Sequence, residues 1–287
     1  MNAMTAVSKI FLAAIMLLGF YFIGFKAQIE DSEVKPYAFL YKFDFKHHTN
    51  RPDLILTDYI IVNKKGDTTF TQFYNQMKRD SLSSLRRLSG QELFDYRVNE
   101  YPYSIKTVKN NSVFTAEVGD QYFQYEEQLQ FKWNITDSIR KINSYTCQLA
   151  TTTYAGRKWK AWFTKDLPFD LGPYKFKGLP GTIVEMNDYN NIFKYSLTAF
   201  KEKKEVRLEH FPSVTQQPIE TTTRKDFNKH QQAYLALGFD ERMAYLSRGS
   251  GGIVKLQSAS DDNEVDLNNK SLNEMDDYQF IEIDHIE

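Results

Sequence analysis

The sequence predicts a mainly β protein: a curved antiparallel sheet or partial open barrel with two or three short helices, following an N-terminal signal peptide. Three observations carry that expectation. The 287 residues include 18 Tyr and 22 Phe against only 13 Gly, and aromatic side chains suit pleated, half-buried surfaces. Apolar residues recur with a period of two through much of the chain, the spacing that puts successive side chains on opposite faces of a strand. Short turn signals separate these runs at roughly even intervals, which favours antiparallel meanders over βαβ units.

The leader stands first. Lys9 precedes sixteen apolar or small residues, Ile10 to Phe25, and Lys26, Ala27 and Gln28 lead into Glu30, Asp31 and Glu33. A basic start, a short apolar run and a polar exit describe a secretory signal peptide. A spanning helix needs about 20 apolar residues. Cleavage after Ala27 gives a signal peptide over 1–27 and a single β-rich domain over 28–287. Phe25 stands where a signal peptidase prefers a small residue, so an uncleaved segment, the chain's one route to a membrane, is the alternative. Loss of Lys9 and Lys26 takes the net charge from -1 to -3.

Tyr37, Phe39, Tyr41, Phe43 and Phe45 share one face of a strand over 37–46. Residues 57–63 and 68–74 flank Lys64-Lys65-Gly66-Asp67 as a hairpin. Met77, Leu82, Leu85 and Leu88 have helical spacing and predict an amphipathic helix over 76–88. Strands follow at 103–109, 112–118, 121–131, 144–154, 157–164 and 182–188, broken by turns at Asn110-Asn111 and Gly119-Asp120. Residues 191–200 and 204–210 extend the series. Thr223 caps a helix over 223–237, with Asp226 in its first turn, Gly238 past its end, and Phe227, His230, Tyr234 and Leu237 on one face. Residues 247–252 are a glycine- and serine-rich connection. The segment 260–287 is acidic, and its last stretch, 278–286, alternates as a final strand.

Residues 133–188 hold all three tryptophans, the only cysteine and three of the eight prolines. Gly156 turns the chain into the strand 157–164, where Trp159 and Ala161 face one way and Lys160 and Trp162 the other. Between 166 and 181, Pro168, Pro173 and Pro180 fix φ while Gly172, Gly178 and Gly181 supply turns. Leu179-Pro180-Gly181-Thr182 has Pro second and Gly third, the signature of a type II turn.

The run Gly178-Leu-Pro-Gly-Thr-Ile183 resembles the hexapeptide that names the GLPGLI family, exported bacterial proteins of unestablished function. The resemblance extends upstream through Trp133, Ile135, Tyr145, Cys147, Gln148, Ala150, Gly156, Arg157, Trp159, Ala161, Trp162, Phe163, Thr164, Leu167, Pro168, Gly172 and Pro173, and downstream to Asp188. Thr182 departs from it, standing where the motif has Leu. The resemblance implies a signal peptide, a β-rich fold and a site in the cell envelope or outside the cell. It assigns no activity and no catalytic residue. Gly156, Pro168, Gly172, Pro173, Gly178, Leu179, Pro180 and Gly181 are the residues expected to shape its structural motif.

Basic side chains cluster in the same stretch. Arg157, Lys158, Lys160, Lys165, Lys175 and Lys177 face only Asp166 and Asp170 between residues 157 and 177. With aromatic rings interleaved, this pattern points to a small anionic, partly apolar ligand held by charge and stacking. Arg157, Trp159, Trp162, Lys175 and Lys177 are its candidate binding residues. The plainer reading is a solvated strand edge on which lysines discourage pairing. In a third reading the acidic C-terminal segment covers the basic patch within the same molecule.

Other chemistries find no pattern. A net charge of -1 gives no field for nucleic acid. Cys147 alone excludes an intramolecular disulfide and reads as a small buried hydrophobe in mid-strand. His47 and His48 point to opposite faces of any strand, and His210, His230 and His285 stand apart, so no metal site is marked. No Gly-x-Ser-x-Gly, phosphate loop or dinucleotide fingerprint occurs, so no cofactor or catalytic residue is assigned. The first functional expectation is therefore a non-enzymatic binding or interaction protein of the periplasm or cell surface, with its ligand on the aromatic concave face near 157–181. The second is an assembly partner of an outer-membrane protein that docks through a strand edge. The third is an envelope hydrolase whose site is assembled from residues without a sequence signature.

Overall fold

The computed structural model describes residues 34–46, 53–97, 102–119, 121–209, 218–237 and 281–282. The leader, the 247–252 connection and most of the acidic segment lie outside them. Of the expected final strand only 281 and 282 are described, and neither is strand.

Among the described residues the protein is mainly β, one open sheet of twelve strands with three short helices. The strands are β1 (Tyr37–Phe45), β2 (Leu56–Lys65), β3 (Thr68–Phe73), β4 (Tyr103–Val108), β5 (Asn111–Val118), β6 (Gln121–Gln128), β7 (Asn134–Ile142), β8 (Tyr145–Tyr154), β9 (Arg157–Thr164), β10 (Thr182–Asp188), β11 (Phe193–Glu202) and β12 (Ile219–Thr221). Their order is β12-β6-β5-β4-β3-β2-β1-β11-β10-β9-β8-β7. Two meanders, β1 to β6 and β7 to β11, are thus joined where β1 pairs antiparallel with β11. The expected antiparallel pairing holds between all neighbours except β12, which lies parallel to β6.

The connection from β6 to β7 forces the sheet to curl. The two strands stand second and twelfth in the order, ten steps apart. Laid flat at ~4.8 Å a step they would be about 48 Å apart. Only Leu129 to Trp133 join them, and six Cα steps reach at most about 23 Å. The ends must therefore approach each other. Thr152 on β8 donates to the Lys132 carbonyl at 3.0 Å, fastening the crossing segment to the far meander.

The aromatic alternation of β1 lines the inside of this curl. Phe39, Tyr41, Phe43 and Phe45 are at most 1% exposed. Across the central seam Phe43 pairs with Tyr195 and Phe45 with Phe193. The ring centroids of Phe43 and Tyr195 stand 4.5 Å apart, nearly parallel.

Several expected elements are altered. The helix expected over 76–88 is α1, Tyr74–Ser83, and buries Gln76 rather than a leucine stripe. The Ser83 and Ser84 hydroxyls donate back to the Arg79 and Ser81 carbonyls, a local alternative to further helix; Leu85 is left 81% exposed. A second helix, α2 (Gly90–Asp95), was not expected. It starts on a reciprocal box in which the Ser89 amide donates to Glu92 and the Glu92 amide to the Ser89 hydroxyl. The turn after β4 is Lys109-Asn110, one residue earlier than expected, because Val108 pairs with Asn111. That register keeps Phe114, Ala116 and Val118 buried, and a one-residue slip would turn them outward. The strand expected over 121–131 ends at Gln128, and residues 204–209 are not strand. The helix expected at 223–237 is α3, Arg224–Ala236, capped by Thr223 as the sequence indicates. Phe227 and Leu235 are its buried apolar residues, while His230 is exposed and stacks on Phe123 at 4.8 Å.

Candidate functional site

Between β9 and β10 the chain does not turn back at once. Residues 165–181 first cross the concave face and are called the clasp here. Its apolar residues Leu167, Leu171, Tyr174, Phe176 and Leu179 are buried. The Phe169 ring packs 4.7 Å from Tyr37, Tyr174 packs 5.4 Å from Tyr103, and Phe176 packs 4.9 Å from Trp159. The clasp therefore touches both meanders and occupies much of the aromatic face expected to receive a ligand.

Its base is closed by Thr182, the first residue of β10. The Thr182 amide and hydroxyl both donate to the Leu167 carbonyl at 3.0 Å. The expected type II turn at 179–182 is consequently absent. The Thr182 amide is committed to Leu167, and the Leu179 carbonyl accepts instead from the Gly181 amide at 2.8 Å, a three-residue turn centred on Pro180. Gly181 is required by close approach, since a Cβ there would lie 2.0 Å from the Thr164 carbonyl oxygen.

The clasp carries Lys175 into the gap where the sheet's ends meet. The Lys175 side chain is fully buried. Its ammonium donates to the Tyr125 hydroxyl at 2.8 Å, Glu127 Oε2 at 2.9 Å and Glu282 Oε1 at 2.7 Å. An ammonium has three protons, and all three are used. Tyr125 and Glu127 come from β6 near one end of the sheet, and Tyr154 from β8 near the other. The Tyr154 hydroxyl lies 2.9 Å from Glu127 Oε2 and 3.1 Å from Glu282 Oε1, and Tyr174 donates to Glu282 Oε1 at 2.8 Å. Arg224, the first residue of α3, meets Glu127 at 2.9 Å and Glu282 at 3.7 Å. Two cations and two carboxylates thus form a neutral cluster. Such a set is tolerated inside a protein only because every charge is paired and hydrogen-bonded.

The same packing fixes the charge states. Burial, followed by the nearby Glu282 carboxylate, pushes the phenols of Tyr125, Tyr154 and Tyr174 well above their ordinary range. Burial also acts to raise Glu282, but Lys175 and Arg224 more than offset it and hold its carboxyl below the usual value. At neutral pH the phenols are protonated and Glu282 is ionised. Cys147 is buried and its thiol is pushed up to about 11, chiefly by desolvation, so it carries little thiolate.

The five candidate binding residues fall in different places. Lys175 is the centre of the cluster. Arg157 is buried in a separate pair, 3.5 Å from Asp188, with its guanidinium over the Phe193 ring. Trp159, on the same strand face, is fully buried. Trp162 lies on the opposite face, where Arg140 of β7 stacks on it at 4.2 Å. Lys177 sits at the rim of the clasp, donating to the Lys109 carbonyl and 3.8 Å from Asp170. The acidic C-terminal segment does reach the basic stretch, through Glu282 on Lys175. Sequence reasoning missed Tyr125, Glu127, Tyr154 and Arg224. One signal was readable: Phe123, Tyr125 and Glu127 share a strand face, so Glu127 is a charge on an apolar stripe. Among the described residues no group of three or more His, Cys, Asp or Glu side chains is arranged to hold a metal ion.

The fold and cluster define a curled, self-filled sheet closed by buried ion pairs. A family model described as "Protein of unknown function (Porph_ging)" matches residues 155–185, from the start of the β8–β9 turn through the clasp to mid-β10. No curated protein matches the chain. The solved structures described as "Structure of PNGF-II in C2 space group" and "Structure of PNGF-II in P21 space group" are similar at a TM-score of 0.50, with 13% and 14% identity. Each alignment covers 71% of this chain and 34% of the other, so the chain spans about a third of the length of those proteins. At that identity the likeness is one of fold.

Proposed function

We propose that this chain is an exported binding or interaction protein of the periplasm or cell surface, of the GLPGLI type, and that it works without catalysis. Export is supported by the order of residues 9–28, and the family by the hexapeptide at 178–183 inside the matched stretch. The observation that carries the functional reading is the cluster around Lys175. Its donors converge on carboxylates, yet burial and pairing hold its phenols protonated and Glu282 ionised. Such a site holds a charged group in place; a general acid or base must instead change protonation near the working pH.

The test is native mass spectrometry of the full chain recovered from the envelope fraction of an expressing bacterium, beside affinity capture with the same material. The expected result is a co-purifying ligand or envelope protein. A bare mass with no captured partner, or recovery of the uncleaved chain from cytosol alone, would refute the proposal.

A second reading, docking as an assembly partner, is favoured by β7. This strand is last in the sheet order, and its residues are exposed apart from Thr136 and Ile142, which are half-buried. Ile135 and Ile139 are 45% and 66% exposed. A strand edge with apolar side chains is the geometry of strand addition. Crosslinks from a photoreactive residue at 139 to an outer-membrane protein would favour this reading over a small ligand.

A further inference from the structure

We infer that Tyr125, Tyr154, Tyr174, Lys175 and Arg224 form a binding site for a carboxylate, and that Glu282 is its resident ligand, supplied by the chain itself. The inference rests on the binding reading above and names the chemistry of that site. Every group except Glu282 comes from the sheet, the clasp or the start of α3. Glu282 comes from the acidic segment at the far end of the chain. Its Oε1 receives Lys175 at 2.7 Å and Tyr174 at 2.8 Å, and lies 3.1 Å from the Tyr154 hydroxyl, whose single proton it shares with Glu127. Its Oε2 receives Tyr125 at 3.4 Å and faces Arg224 Nε at 3.7 Å. Both lone-pair edges of one carboxylate are therefore met by two cations and three phenols. Charge-assisted bonds of this kind are the stronger class of hydrogen bond.

Charge bookkeeping makes the site selective. With Glu282 in place the two cations balance two carboxylates. Without it Lys175 and Arg224 face Glu127 alone, leaving one uncompensated positive charge in a nearly closed, aromatic surround. That surround includes the Phe114 ring, 5.0 Å below the Lys175 ammonium. A buried excess charge of this sort demands an anion. The donors are arranged for a flat, two-oxygen group. Glu127 is itself positioned to repel a second or larger anion, so a carboxylate fits where a phosphate would not. The ligand is accordingly a carboxylate, from a small organic acid or from an acidic side chain of a peptide.

Glu282→Ala removes the four heavy atoms beyond Cβ, which are the heavy atoms of acetate. The experiment compares the thermal midpoint of the full-length wild type, E282A and the double variant E282A/K175M in sodium chloride and in sodium acetate of equal ionic strength. A third arm uses a capped peptide of the Gln279–Ile283 sequence. Acetate, but not chloride, should raise the midpoint of E282A alone. At ten times its dissociation constant it should raise the folding equilibrium about elevenfold, as one-site linkage requires. Rescue by acetate at a much lower concentration than the peptide assigns the site to small acids; the reverse order assigns it to acidic peptides. Equal responses to chloride and acetate, or an acetate response that persists in E282A/K175M, would overturn the assignment. If E282A does not fold in chloride, its folded yield on refolding in acetate replaces the midpoint, and no recovery there overturns the assignment equally. Failure here leaves a co-purifying partner of the wild type unaffected, while a bare wild-type mass with acetate rescue intact would sink only the broader binding role.

Discussion

The curled sheet is held together in two places by two different kinds of force. At the central seam β1 and β11 pair along nine residue positions, and stacked rings fill the inner face. At the closing seam the ends approach through side chains instead, with Tyr154 of β8 reaching Glu127 of β6 and Lys175 beneath both. The first junction is neutral hydrogen bonding with apolar burial, which scarcely responds to pH. The second is an ion network whose members stabilise one another only while each keeps its charge. A barrel with a continuous ladder would need no second junction. Here the β6–β7 crossing brings the ends together without a ladder between them, and buried charge does the remaining work.

Removing the clasp's ammonium breaks this contrast most directly. Lys175→Met leaves Glu127 and Glu282 with only Arg224, and breaking a buried pair by deleting one partner costs about 3–5 kcal/mol. Phe43→Ala at the central seam should cost about as much, 3–5 kcal/mol, through lost burial and a cavity. The two losses differ in kind. In urea titrations the deficit of the Lys175 variant should shrink as pH falls toward 4, when the stranded Glu282 takes up a proton. The deficit of the Phe43 variant should stay constant. Parallel pH dependence in the two variants would remove the distinction between the seams.

Acid and alkali sharpen the same comparison in the wild type. Glu282 has a folded pKa below its unfolded value. Its contribution to stability is therefore fully present above the ordinary carboxylate range and is lost as pH falls through the lowered folded value. The three phenols are shifted the other way. Their contribution is fully present below the unfolded value of about 10 and is lost as pH rises beyond it. Thermal midpoints should thus fall at both extremes. Replacing Glu282 by Gln should lower the midpoint at neutral pH and flatten the acid limb; an unchanged acid limb would place the acid-sensitive group elsewhere.

How much of this was legible in the sequence differs between the same two seams. The β1 stripe Phe39-Tyr41-Phe43-Phe45 announced the central seam, because period-two burial is a local property. The Thr223 cap and the hairpin around Gly66 were readable for the same reason. The edge strand β7 was not, since Asn134–Ile142 faces solvent on nearly every residue and has no alternation to detect. The parallel three-residue β12 is too short for any period. Helix α2 was missed although Ser89-Gly-Gln-Glu92 spells its cap. The cluster was half legible. Lys175 stood out as basic, and the acidic C-terminal segment as a possible cover. Arg157, however, was pooled with exposed lysines although it shares the strand face of Trp159, and burial follows the face. Glu127, Tyr154 and Arg224 meet only because the sheet curls, which no local pattern records.

The smallest effect concerns Thr182. The Thr182 hydroxyl is fully buried against the Leu167 carbonyl at 3.0 Å, with Phe169 O at 3.2 Å. Thr182→Val keeps the branched shape and removes only the donor. The loss should be about 1 kcal/mol, the net value of a single neutral hydrogen bond, because the Leu167 carbonyl still accepts from the residue 182 amide. Unlike Lys175→Met, it should be the same at pH 5 and pH 8. A loss several times larger would mean that the clasp's base, rather than its charged tip, governs how the sheet's ends are held. In that case hydrogen exchange in the Leu167–Leu171 amides should rise together with exchange in β6 and β8.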